Sequence, residues 1–168
     1  VETGAAQRPS LFLYNRKGSA ITELKRGDID WDEVMQGKDW FHFTGITPAL
    51  ADSVAELTED ACVAAKRHGL TVSCDLNFRS KLWPLEKAQR VMTGLMSHVD
   101  VLFTNEEEAA KVFGIHAHDT DISSGKLSEE GYDDVARQLV ERFGLRYAVI
   151  TLRESLSASV NNWSGMFY

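Results

Sequence analysis

Cysteine is scarce in this chain, with only Cys62 and Cys74 among 168 residues. A disulfide framework or a cysteine metal site would need partners that the chain lacks, and both residues fit reduced core thiols, Cys62 in a helical pattern and Cys74 in a strand pattern. No apolar stretch approaches the roughly 18 to 20 residues that cross a bilayer, and no signal peptide opens the chain. A membrane partner is not expected, and the cytoplasm is the default compartment. Lys and Arg are scattered singly or in pairs against a net charge of -7. Without a basic stripe to track a phosphate backbone, nucleic acid is not an expected partner. Three glycine motifs are also missing: G-x-x-x-x-G-K with Ser or Thr, G-x-G-x-x-G after a strand, and G-x-S-x-G. Walker-type ATPase, classical dinucleotide and serine-hydrolase readings weaken accordingly. No internal repeat or low-complexity segment is visible.

What is present has the balance of one ordinary α/β domain: 43% hydrophobic, 26% charged and 10% aromatic residues, enough chain for a sizeable core. The sequence opens at Val1 and stops at Met166-Phe167-Tyr168 inside a strand pattern. Domain ends are usually polar and frayed, so further chain is expected on both sides and functional statements concern a parent protein.

Leu11 to Arg16 reads as a strand, Lys17-Gly18 as a turn and Ser19 to Leu24 as the return of a hairpin. Trp40 to Thr44 is a short aromatic strand before Gly45-Ile46-Thr47-Pro48 and a helix from about Ala49 to His68. Thr47 suits its cap, Pro48 its first position and Gly69 its stop. Leu70 to Asp75 is the next strand. Pro84 opens a helix through Val91, Met92, Leu95 and Met96, followed by the strand Asp100 to Thr104. Asn105 caps a short helix ending at Gly114. A polar loop follows, then a helix from Ser128 to Gly144, a buried strand Tyr147 to Leu152 and a terminal hairpin through Ser157 to Tyr168. Strand-helix units about thirty residues apart predict a parallel sheet covered on both faces, with right-handed crossovers.

Two strand ends carry the chemistry. Ligands of open parallel sheets gather at the carboxyl ends of the strands, and here Asp75-Leu76-Asn77-Phe78-Arg79 closes one strand while Asn105-Glu106-Glu107-Glu108 closes the next. Together they predict one shared site. Continued strand alternation would set Asp75, Asn77 and Arg79 on one side. The Arg79 guanidinium suits a phosphate or carboxylate, Asn77 both donates and accepts, and Asp75 can orient either neighbour. A strand end tied to its loop by Asp75 and Arg79 is the plainer explanation. Three acids at a helix start are favoured by the exposed amides, which is enough for Glu106 and Glu107. Asn105 and Glu108, three apart on one face, could jointly hold water around Mg²⁺, and with Arg79 they suggest phosphoryl transfer. His116 and His118 form an H-x-H pair without a further ligand pattern and read as a solvated loop.

The run Thr44-Gly45-Ile46-Thr47-Pro48, then Asp75-Leu76-Asn77-Phe78-Arg79 with Leu82-Trp83, then Asn105 to Glu108 with Phe113-Gly114, resembles the ribokinase-like (phosphofructokinase-B type) carbohydrate kinases over nearly the whole chain. Tyr14-Asn15-Arg16-Lys17-Gly18-Ser19-Ala20, with Asn77, Arg79 and Trp83, is most similar to the branch acting on 2-keto-3-deoxygluconate.

The resemblance implies a ribokinase-like α/β fold, with a mostly parallel sheet flanked by helices and part of a small β-lid. Residues 1–30 would be part of the lid and its return, and 31–168 the central part of the α/β domain. It implies ATP and Mg²⁺ as cofactors and a sugar acid as substrate. Tyr14 and Arg16 would reach the acid's carboxylate, Ile46 would pack on it, and Arg79 would lie between substrate and triphosphate with Asn77 beside it. Asn105 and Glu108 match the N-x-x-E motif of the metal and phosphate environment. The lid would form a homo-oligomer contact. The family's base, an aspartate in a G-A-G-D motif, is absent from this sequence, as is its N-terminal glycine pair, so the isolated chain is expected to be inactive. Thr151 to Leu156 departs from T-x-G-x-x-G by placing Arg153 and Leu156 at glycine positions, leaving nucleotide contacts there open. A fructose, ribose or deoxy-inositol-acid kinase, a non-catalytic relative, and an unrelated α/β binding domain are the alternatives.

Overall fold

The computed structural model describes Arg16 and residues 18–117, 129–155 and 161–168. Five strands form one sheet in the order β1-β2-β3-β4-β5: β1 (Trp40–Thr44), β2 (Thr71–Asp75), β3 (Val101–Thr104), β4 (Tyr147–Ser155) and β5 (Asn161–Phe167). The first four are parallel, and β5 returns antiparallel to β4, so the terminal hairpin is formed by β4, extended to Ser155, and one further strand rather than within Ser157 to Tyr168. Helices α2 (Asp52–Arg67), α3 (Leu85–Leu95) and α5 (Glu129–Phe143) join the parallel strands, with the short α1 (Trp31–Met35) before β1 and α4 (Glu106–Glu108) after β3.

Strand order here follows chain order, so successive right-handed crossovers carry α2, α3 and α5 to the same side of the sheet. Phe43, Cys74, Leu102 and Ala148 stand in register and are buried in the core on that side. The opposite face carries Trp40, His42 and Tyr147, all exposed. The expectation of a sheet covered on both faces is therefore corrected among the described residues: sequential strand order leaves one face without helices.

Local chemistry fixes most boundaries. Asp30 caps α1 by accepting from the amides of Asp32 and Glu33, both at 3.1 Å. Pro84 stands at the cap position of α3, and Gly69, Gly114 and Gly144 follow their helices at positive φ, as expected of stops. Two expectations fail. Helix α2 begins at Asp52 rather than near Ala49, because Thr44 to Leu50 close successive turns, with Ala49 N–H donating to Ile46 O and Leu50 N–H to Thr47 O. The return strand Ser19 to Leu24 is a 3₁₀ turn over Ala20–Glu23. Its hydroxyls bond backward, Ser19 Oγ to Arg16 O at 2.8 Å and Thr22 Oγ1 to Ser19 O at 2.7 Å, offering the backbone a compact alternative to a ladder. The strand over Leu11 to Asn15, Lys17 of the turn, the Ser128 cap and His118 lie outside the described residues.

Candidate functional site

The carboxyl ends of β1, β2 and β3 meet at one edge. Asp75 stands opposite Thr44 and Phe103 in the two ladders. Beyond them, Gly45 N–H donates to Asp75 O at 2.8 Å and Leu76 N–H to Phe103 O at 2.9 Å. Glycine is required at 45 by this approach, since a Cβ there would lie 2.1 Å from the Leu76 carbonyl oxygen.

Strand geometry stops at Asp75. Asn77 has a φ of +42°, a conformation that asparagine tolerates better than most residues. The alternation expected through Arg79 is thereby corrected: irregular chain with a left-handed residue at Asn77, not a continued strand, brings Asn77 and Arg79 to the site. Asn77 Nδ2 donates to Thr44 Oγ1 at 3.2 Å, tying the β2 exit to β1. Its Oδ1 is buried and meets no hydrogen-bond donor among the described residues. That unmet acceptor is a place for a ligand hydroxyl or amide, because a buried polar atom left unpaired is costly.

The guanidinium of Arg79, more than half exposed, stands with Nη1 3.6 Å from Glu108 Oε1. The two strand ends expected to share a site are thus joined by an ion pair. Asn105 Oδ1 accepts from the Glu108 amide at 2.8 Å, so the N-x-x-E spacing is first a helix cap and its third residue. Glu107 pairs with Lys111 one turn on, in keeping with the solvated role expected of it. Burial pushes the Glu108 carboxyl up to about 7; the Asp75 charge adds to this, and Arg79 and the Asn77 amide oppose it. Asp75 is likewise raised by burial, against the pull of His42, Arg79 and Asn77. Two half-buried carboxylates beside one cation make a site that gains from a second positive charge.

Ile46 is half-buried in the turn after β1, its amide 3.4 Å from Thr44 Oγ1. Arg16 is half-buried at the start of the 3₁₀ turn, and Tyr14 lies outside the described residues. The backbone from Thr151 to Ser155 continues β4 in a ladder with β5, and Thr151 Oγ1 donates to Thr104 O at 3.3 Å beside Asn105. Among the described residues no cluster of three or more His, Cys, Asp or Glu converges as a metal cage. Thr44, Gly45 and His42 contribute to the site without having been assigned roles. Thr44 and Gly45 belong to the run Thr44 to Pro48 that carried the resemblance, whereas nothing local to His42 announces that it faces Asp75.

Residues 2–152 match the model of the pfkB family of carbohydrate kinases. The chain belongs to that family. It is 30% identical over 135 residues to a 2-dehydro-3-deoxygalactonokinase of Haloferax volcanii, covering 80% of this chain and 42% of that protein. It is 30% identical over 164 residues to a 2-dehydro-3-deoxygluconokinase of Thermoproteus tenax, covering 93% and 47%. The crystal structure of a Thermotoga maritima 2-dehydro-3-deoxygluconokinase superposes with a TM-score of 0.89 at 46% identity, covering 98% of this chain and 48% of that one. The ribokinase-like α/β fold expected of the sequence is therefore present. The chain spans somewhat less than half the length of these pfkB relatives. No described helix is long and apolar enough to cross a membrane.

Proposed function

We propose that the protein to which this chain belongs phosphorylates 2-keto-3-deoxygluconate with ATP, giving 2-keto-3-deoxy-6-phosphogluconate. The observation that carries the reading is Arg79 held 3.6 Å from half-buried Glu108 where the ends of β2 and β3 meet. A guanidinium fork suits a phosphoryl group in transit, and transfer of this kind rests on alignment and charge neutralisation. The names of the Thermoproteus and Thermotoga relatives support the sugar acid over a neutral hexose or pentose.

In this reading Tyr14 and Arg16 bind the substrate carboxylate, Ile46 packs on the sugar, and Asn77 Oδ1 accepts one of its hydroxyls. Arg79 stands between sugar and triphosphate. Glu108, with Asn105 beside it, holds Mg²⁺ through water. The donor set fits that ion, since Mg²⁺ usually keeps several waters and takes one or two carboxylates together with substrate phosphates. Bound there, the metal supplies positive charge to the phosphates. The G-A-G-D base is absent from these 168 residues, so this chain alone is expected to be inactive. Residues 1–30 belong to the lid, through which copies associate, and 31–168 to the α/β domain; we assign the reaction to the cytoplasm.

The Haloferax relative favours a second reading, the galactonate epimer as substrate, at the same 30% identity. Initial rates of the complete kinase with ATP and each of 2-keto-3-deoxygluconate, its galacto epimer, fructose and ribose test both. The gluconate acid is expected to lead, with the neutral sugars at least ~100-fold slower for want of a carboxylate to pair. Faster turnover of fructose or ribose would overturn the sugar-acid reading, and a lead for the galacto epimer would select the second.

A further inference from the structure

The helix that starts with Glu106 does not continue as an ordinary α-helix. From Ala109 to Phe113 it widens into a π-helical turn that ends at Gly114. At its end Ile115 N–H reaches Ala109 O at 3.3 Å, while Gly114 N–H goes to Ala110 O at 2.9 Å. Lys111 O lies in this last turn, where a helix supplies its carbonyls with no donor, and half-buried Gln89 of α3 supplies one through Nε2 at 2.9 Å. At the end of the same turn, Arg142 of α5 donates to Phe113 O. Each neighbouring helix thus meets one carbonyl of the widened turn.

The widening sits directly after Glu108. A π turn spreads its residues more widely about the axis than an α turn, so the widening sets how Glu108, just before it, is aimed relative to Val112 and Phe113, which are buried in the core. Single π turns recur at functional sites. We propose that Gln89 is a positioning residue for Glu108: its amide holds the widened turn in place and so fixes the carboxylate on the phosphate side of the site. The inference rests on the reading of Glu108 as part of the Mg-ATP environment, and it is independent of which sugar is phosphorylated.

Gln89→Glu keeps size and shape but removes the donor, whereas Gln89→Lys keeps a donor. In the complete kinase, Mg-ATP affinity by equilibrium titration and amide exchange at Gly114 and Ile115 read the two consequences. Gln89→Glu is expected to weaken Mg-ATP binding about 3- to 10-fold, the loss typical of one hydrogen bond, to speed exchange at both amides, and to leave KM for the sugar within about twofold. Gln89→Lys is expected to restore affinity and exchange together. Unchanged Mg-ATP affinity in Gln89→Glu overturns the proposal, even with faster exchange, because the bond would then serve the helix alone. A wild-type kinase that binds Mg-ATP but phosphorylates no sugar acid defeats the reading of the substrate and leaves this test intact.

Discussion

The chain leaves β2 and β3 at neighbouring points of one sheet edge, yet the two exits are held by different means. After β3 the means are mostly local: Asn105 caps the helix it precedes, Glu108 lies three residues on and Gly114 ends the turn, while Gln89 and Arg142 each add one bond to a last-turn carbonyl. After β2 they come from elsewhere. Gly45 of the β1 turn lies against the Leu76 carbonyl, Thr44 receives the Asn77 side chain, and Glu108 faces Arg79. An exit held by its own sequence loses little when one residue changes. An exit held by backbone contact between distant segments has no slack, and it is the one that presents Arg79.

The sharpest way to break the contrast is Gly45→Ala. The new Cβ meets a backbone oxygen at 2.1 Å, and backbone cannot swing aside as a long side chain can. A stability loss of about 2–3 kcal/mol by urea denaturation is expected, typical of overpacking at a rigid site.

Glu108→Gln tests the place where the two exits meet. The Glu108 carboxyl is raised from 4.5 to about 7, so between those values the folded protein binds the proton more tightly than the unfolded chain. Wild-type stability should therefore fall as pH rises from about 4.5 to about 7, by at most ~3 kcal/mol, and stay reduced above that. The glutamine variant should show no such fall and should be the more stable protein at pH 8 but not at pH 4. Equal pH profiles for the two would show that Glu108 is not held in a desolvated site.

The smallest effect belongs to the local exit. Asn105→Ala removes one cap bond, at 2.8 Å, and should cost about 1 kcal/mol in the same denaturation experiment. A loss equal to that of Gly45→Ala would erase the distinction between the exits.

That distinction also explains what could be read from residues alone. Asn105 as a cap, the carboxylates behind it, Pro84 at a helix start and the glycine stops are statements about neighbours in sequence, and the structure agrees with each. The shared edge of the strands after Asp75 and Thr104 was also legible, because parallel strands joined by helices bring their ends together. Alternation through Arg79 failed because left-handed Asn77 is tied to Thr44, 33 residues away. The start of α2 was misplaced because Thr47 and Pro48 serve a turn that the close packing of Gly45 on Leu76 requires. The return strand at Ser19 gave way to hydroxyls bonding back to nearby carbonyls. Coverage of both sheet faces was expected from the composition of parallel sheets in general, whereas the side taken by each helix depends on strand order, which spacing does not encode.

The central claim is that the two exits form one site, with Arg79 and Glu108 acting on the same ligand. A double-mutant cycle of Arg79→Ala and Glu108→Gln, read as kcat/KM of the complete kinase with the proposed 2-keto-3-deoxygluconate, tests it most directly. Arg79→Ala alone is expected to lose about 10²- to 10³-fold. The double variant should fall short of the product of the single losses by at least about tenfold, a coupling of ~1.4 kcal/mol. Losses that simply multiply would contradict the account, because residues 3.6 Å apart that serve one ligand are expected to couple.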